Sequence, residues 1–169
     1  MIYPIVKYGN SVLSRVGEPV TSFDKKLEKL VANMWETMYA ANGVGLAAPQ
    51  IGVSMKICVI DISSGENPES KLVLVNPSIQ NQEGKQEGEE GCLSLPHFRA
   101  NTPRPETITV QTQDLKGEQV TLKGQGLLAR AFAHEIDHLN GILYIKHIRM
   151  LKRESIKRQV RQKVKAGTW

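Results

Sequence analysis

Apolar side chains at Leu27, Leu30, Val31, Met34 and Met38 recur at helical spacing and predict an amphipathic helix from Asp24 to about Ala41. Ser22 is a suitable N-cap, and Asn42-Gly43 is a clear stop. Before it, residues through Pro19 mix short apolar groups with glycines and read as an irregular lead-in. After it, Lys56–Asp61 and Lys71–Val75 have the β-branched richness of strands, joined by a loop over Ser63–Ser70, with Asn76-Pro77 bounding the second. The acidic run Gln82–Gly91, punctuated by glycine, reads as a polar hairpin arm. Thr107–Gln113 and Glu118–Leu122 alternate as two further strands around a Lys116-Gly117 turn. From Gly126 the period becomes helical again, with Leu128, Ala131, Phe132 and Leu139 facing a core and a stop near Asn140-Gly141. A last helix is expected over 148–165, where Ile148, Leu151, Ile156, Val160 and Val164 are interleaved with eight Lys and Arg. Strands followed by helices, without alternation, indicate an α+β domain with an antiparallel sheet.

At 169 residues the chain is expected to form one domain with a real core. No apolar run approaches the ~20 residues that span a bilayer, and the first residues lack the basic-then-apolar pattern of a signal peptide. A cytoplasmic protein is expected. Cys58 and Cys92 do not suggest a disulfide framework. The net charge of +5 is uneven: Lys146–Lys165 carries nine Lys and Arg against Glu154 alone, so the rest of the chain is slightly acidic.

Candidate chemistry concentrates in Ala133-His134-Glu135-Ile136-Asp137-His138-Leu139. On a helix His134 and His138 lie one above the other, able to hold one metal ion, with Glu135 flanking it to handle protons. Two partly buried, hydrogen-bonded histidines are the plain alternative. A third ligand is not evident downstream: Tyr144 stands where one protease group has a histidine, and Glu154 is set among basic residues. Cys92, in Glu90-Gly91-Cys92-Leu93-Ser94, lies 42 residues before His134; in isolation a core thiol is the more ordinary reading there, but with no third ligand elsewhere it is the leading candidate. Gly43–Gly52 is rich in small residues, either as a tight turn or where a backbone must approach something closely.

Three segments in this order resemble the motifs of bacterial peptide deformylases: Gly43-Val44-Gly45-Leu46-Ala47-Ala48-Pro49-Gln50, Glu90-Gly91-Cys92-Leu93-Ser94 and His134-Glu135-Ile136-Asp137-His138. The resemblance spans most of the chain. It implies antiparallel sheets packed around a central metal-binding helix, with a basic C-terminal helix, all in one catalytic domain over 1–169. It further implies a metal-dependent hydrolase that removes the N-formyl group from the amino-terminal methionine of nascent proteins. Cys92, His134 and His138 match the metal ligands, with the fourth position left to water. Glu135 matches the general acid/base. Gln50 and the Leu93 N–H match the donors to the developing oxyanion, and Gly45 matches the rim along which the peptide lies. Val44, Glu90, Leu127 and Arg130–Ala131 stand where the family forms its methionine pocket. Ferrous iron is the implied metal, with zinc or nickel as substitutes; the implied partners are formyl-methionyl nascent peptides and, through the basic helix at 148–165, the ribosome, with no membrane and a monomeric chain. That helix is expected to be removable after about Lys152 without loss of cleavage. Two residues depart from the family pattern: Ala133 replaces a common Gln, and Arg130 brings a charge to an apolar pocket, its guanidinium expected to reach water. An internal-bond metallopeptidase and a nucleic-acid-binding module with a structural metal are the rival readings.

Overall fold

The computed structural model describes residues 1–169. In chain order it contains α1 (Lys25–Ala40), β1 (Gly45–Ala47), β2 (Ile57–Ile60), β3 (Leu72–Glu83), β4 (Glu89–Cys92), β5 (Leu95–Asn101), β6 (Thr107–Gln113), β7 (Gln119–Gln125), α2 (Leu127–Leu139) and α3 (Met150–Lys165). Five strands form an antiparallel sheet in the order β1-β2-β3-β6-β7, and β4 and β5 form a separate two-stranded one. The α+β class read from the sequence is what is observed. No helix is long and apolar enough to cross a membrane.

Strand β2 explains why two helices cover this sheet. All four of its residues are buried, and their side chains alternate between faces. Cys58 and Ile60, with Leu74, Ile108 and Val110, pack under Ala129, Phe132, Ala133, Ile136 and Leu139 of α2. Ile57 and Val59, with Leu46 and Val75, meet Leu27, Val31, Met34 and Met38 of α1. Burying side chains of this size stabilises by about 1.5–3 kcal/mol each. A third cluster joins Leu95 and Ala100 of β5 to Leu143, Tyr144, Ile145 and Ile148, and to Ile156 and Val160 of α3.

Several boundaries differ from expectation, each for a local reason. Asp24, not Ser22, caps α1: its Oδ1 accepts from the N–H groups of Lys26 and Leu27. Strand β3 does not end at Asn76-Pro77 but bulges there, between Val75 and Ser78. Asn76 adopts a left-handed φ of +50°, and its side-chain amide bonds both the N–H and the carbonyl of Val20, at 2.8 and 2.9 Å. Pro77 is tolerated because a bulge interrupts the ladder that would need its N–H. The run Gln82–Gly91 is not one arm; it closes β3 and opens β4, in two different sheets. Strand β5 was unforeseen, β7 runs on to Gln125, and α3 starts at Met150.

Candidate metal centre

Helix α2 carries His134 and His138 on one face, as their spacing requires. It ends cleanly because Gly141 takes φ +74° while its N–H bonds the His138 carbonyl at 3.1 Å. A Cβ at Gly141 would lie 2.8 Å from the Ser14 backbone, so the close packing itself also demands glycine. Cys92 reaches the same place from β4, at a register break between Gly91 and Cys92 that turns its side chain toward α2. Cys92 Sγ lies 3.3 Å from His138 Nε2, which lies 3.2 Å from His134 Nε2. All three donor atoms fall within 4.8 Å of one another. Tetrahedral bonds of about 2.0–2.1 Å to nitrogen and about 2.3 Å to sulfur put N···N edges near 3.4 Å and S···N edges near 3.6 Å, so the group fits one cation.

The surroundings prepare the histidines for that task. His134 Nδ1 is 2.6 Å from Glu90 Oε1. Burial works to raise the Glu90 carboxyl, but Arg104 and His134 outweigh it and hold it well below the usual carboxylate range. Glu90 is therefore ionised, Nδ1–H donates, and Nε2 of His134 is left with a lone pair for a metal. Burial pushes His138 down and keeps its ring neutral. At His134, burial opposes a charge but hydrogen bonding to the acceptors Cys92 and Glu90 wins, so this point attracts positive charge. Glu90 is clamped by Arg104 through two bonds of 2.8 Å and by Arg130 Nη1 at 2.7 Å; Arg104 also bonds Asp137 at 2.7 Å.

Glu135 is 4% exposed, and burial raises its carboxyl to about 7 against the pull of His134. Its Oε2 is buried without a protein partner, free for a ligand proton. Gly45 backs it on the other side. A Cβ at Gly45 would abut Glu135 Oε1 and sit 2.8 Å from Glu135 Cδ. Gln50 belongs to a 3-10 turn at Ala48–Ile51, and its Oε1 accepts the Ala47 N–H at 3.0 Å. With the amide oxygen so occupied, Nε2 must face the centre, 3.6 Å from Cys92 Sγ and 3.3 Å from Ser94 Oγ.

These groups line an open cleft of about 580 Å³. Gly45, Gln50, Cys92, Leu93, His134 and Glu135 all line it, together with Val44, Glu90, Leu127, Arg130 and Ala131. Val44 and Leu127 stand exposed at its rim. Arg130 corrects the expectation of a water-reaching cation: it is 7% exposed and bonded to Glu90 and to the Thr102 carbonyl, so that wall is ion-paired rather than charged. Sequence reasoning did not find Ser94, Arg104 or Asp137 as parts of the site. Arg104 stands alone between two prolines, with no spacing that marks it as Glu90's partner.

The family model for polypeptide deformylases matches residues 2–154. A peptide deformylase of Acidobacterium capsulatum is 53% identical over 169 residues, covering 100% of this chain and 99% of that one. The crystal structure of a peptide deformylase from Legionella pneumophila has a TM-score of 0.91 at 40% identity, covering 99% of this chain and 98% of that one. The crystal structure of peptide deformylase from Thermus thermophilus has a TM-score of 0.87 at 43% identity, covering 95% and 94%.

Proposed function

The chain belongs to the polypeptide deformylase family, and from that premise we propose that it removes the N-formyl group from the methionine of nascent peptides, releasing formate. The observation that carries the reading is the convergence of Cys92, His134 and His138, with Cys92, His134 and the buried carboxyl of Glu135 lining one cleft. Cys92, His134 and His138 would hold a divalent ion, ferrous iron with zinc or nickel able to replace it, and that ion would supply Lewis-acid chemistry that lowers the pKa of water from ~15.7 towards ~7.

The residues of the chain do the rest. Glu135 takes a proton from the attacking water and passes it to the departing amine nitrogen. The C–N bond breaks, the water oxygen stays on carbon as formate, and the peptide leaves with a free amino group. Gln50 Nε2 and the Leu93 N–H donate to the oxygen of the formyl carbonyl as it gains charge, an effect worth about 3–4 kcal/mol per donor in other enzymes. The methionine side chain lies between Val44 and Leu127, over Ala131 and the paired Glu90 and Arg130. Residues 1–169 act as a single catalytic unit, as a monomer in the cytoplasm, and the basic face of α3 docks on the ribosome.

The test compares formyl-Met, acetyl-Met and unblocked peptides with iron- or nickel-loaded protein. Formate from the first, with the others intact, is the expected outcome. Equal attack on acetyl-Met peptides, or cleavage at internal bonds, would replace this reading with a broader peptidase.

A further inference from the structure

The first residues of the chain, an irregular lead-in by sequence, tie together the two segments that carry Gln50 and Cys92. The Val6 N–H donates to the Gln50 carbonyl, and the Tyr8 N–H donates to the Ser94 carbonyl, both at 2.8 Å. Gln50 and Ser94 are themselves joined by Nε2 and Oγ at 3.3 Å. Val6–Tyr8 is thus a strap, running into a turn at Tyr8, that joins the segments that hold Gln50 and Cys92. The strap is fastened from the far end of the chain. Trp169 Nε1 donates to the Tyr8 carbonyl at 2.9 Å. Its ring lies 6.2 Å from the ring of Phe98, which lines the cleft, and Lys7 Nζ stands 5.6 Å from its centroid. One side chain therefore bonds the strap and packs beside the cleft wall.

We propose that Trp169 is a positioning residue for Gln50 and for Cys92–Ser94, acting through the Val6–Tyr8 strap. The proposal rests on the deformylase reading for its effect on turnover, but not for its effect on the strap. Losing one such hydrogen bond loosens the strap about fivefold.

Two variants separate this role from simple packing. Trp169→Ala removes ring and donor, whereas Trp169→Phe keeps a ring against Phe98 and removes only the donor. Both are expected to speed hydrogen exchange of the Val6 and Tyr8 amides, in protein with or without metal, by about fivefold. Both are expected to lower kcat on a formyl-Met peptide by a similar factor, with KM nearly unchanged, while Trp169→Phe keeps the wild-type melting temperature. Wild-type exchange and kcat in Trp169→Phe would overturn the proposal, as would a kcat loss unaccompanied by faster exchange. If the wild-type protein releases no formate, the functional reading fails, and the exchange rates still decide the strap.

Discussion

Gly45 has the least spare room of the glycines lining the cleft, and the reason is Glu135 rather than substrate. From sequence, its smallness reads as clearance for a peptide backbone; in the structure, the volume where a Cβ would stand is filled by the Glu135 carboxyl. Gly45→Ala is expected to displace that carboxyl and lower turnover by on the order of 100-fold, the scale of effect of a catalytic group moved by about 1 Å. Metal content should stay at the wild-type level, which metal analysis of the same sample checks; normal turnover would show that the carboxyl can relax without cost. A second comparison divides ligand from proton carrier. Glu135→Ala should keep the ion and still bind peptide but lose at least ~100-fold in kcat. Cys92→Ala should lose ion and activity together, because a third of the protein ligands is gone. Full metal occupancy in Cys92→Ala would remove the thiolate from the centre.

Among elements, the helices were legible and the small sheet was not. Helices α1 and α2 announce themselves by period, because each buries one stripe against the sheet. The β4–β5 pair has no such signature: much of β5 is exposed, and the hairpin is held by the Glu90–Arg104 pair and by the cluster around Leu95 and Tyr144. The loop after β2 shows another long-range tie. Asp61 accepts from Tyr39 Oη of α1 at 2.5 Å, from the Ser63 N–H and Oγ at 2.9 and 2.6 Å, and from the Gly65 N–H at 2.9 Å. Burial opposes its ionisation, but these bonds prevail and lower its pKa; Tyr39, raised by burial and by Asp61 to about 12, remains a donor. The unfolded carboxyl titrates near ~3.9, so this contribution is complete above that pH and is lost as pH falls through the lower folded value. Asp61→Asn should therefore destabilise the protein at pH 7, and the gap to wild type should narrow in urea titrations as pH falls below ~3.9. A gap independent of pH would mean that the charge of Asp61 plays no part.

At the scale of the molecule, α3 has two faces of different chemistry. Ile156 and Val160 are buried against the cluster that contains Leu95 and Tyr144, while Lys152, Arg158, Arg161 and Lys165 face water. A cut after Lys152, expected from sequence to be harmless, would uncover that cluster; removing one large buried aliphatic side chain commonly costs about 2–5 kcal/mol. Ribosome docking is better tested by charge. Replacing Lys152, Arg158, Arg161 and Lys165 with Gln should leave cleavage of short formylated peptides unchanged and weaken co-sedimentation with ribosomes. For the unaltered protein, co-sedimentation should fall steeply with added salt, as counterions return to the phosphates. Equal, salt-insensitive sedimentation of both proteins would reduce the basic face to a solvated surface.

The sequence by itself determined the α+β class, the two periodic helices that cover the large sheet, and the trio Cys92, His134 and His138 that converges at the centre. Those signals are local: a hydrophobic period, a stop, two histidines four apart on a helix, and short motifs whose members are neighbours in the chain. Tertiary structure decided that Arg104 and Arg130 neutralise Glu90, that Gly45 makes room for Glu135, that Asn76-Pro77 is a bulge, and that Val6–Tyr8 straps the site to Trp169. Each of these is a contact between residues far apart in the chain. An ion pair, a void or a backbone tie of that kind leaves no period and no fixed spacing, and becomes visible only when packing brings its partners together.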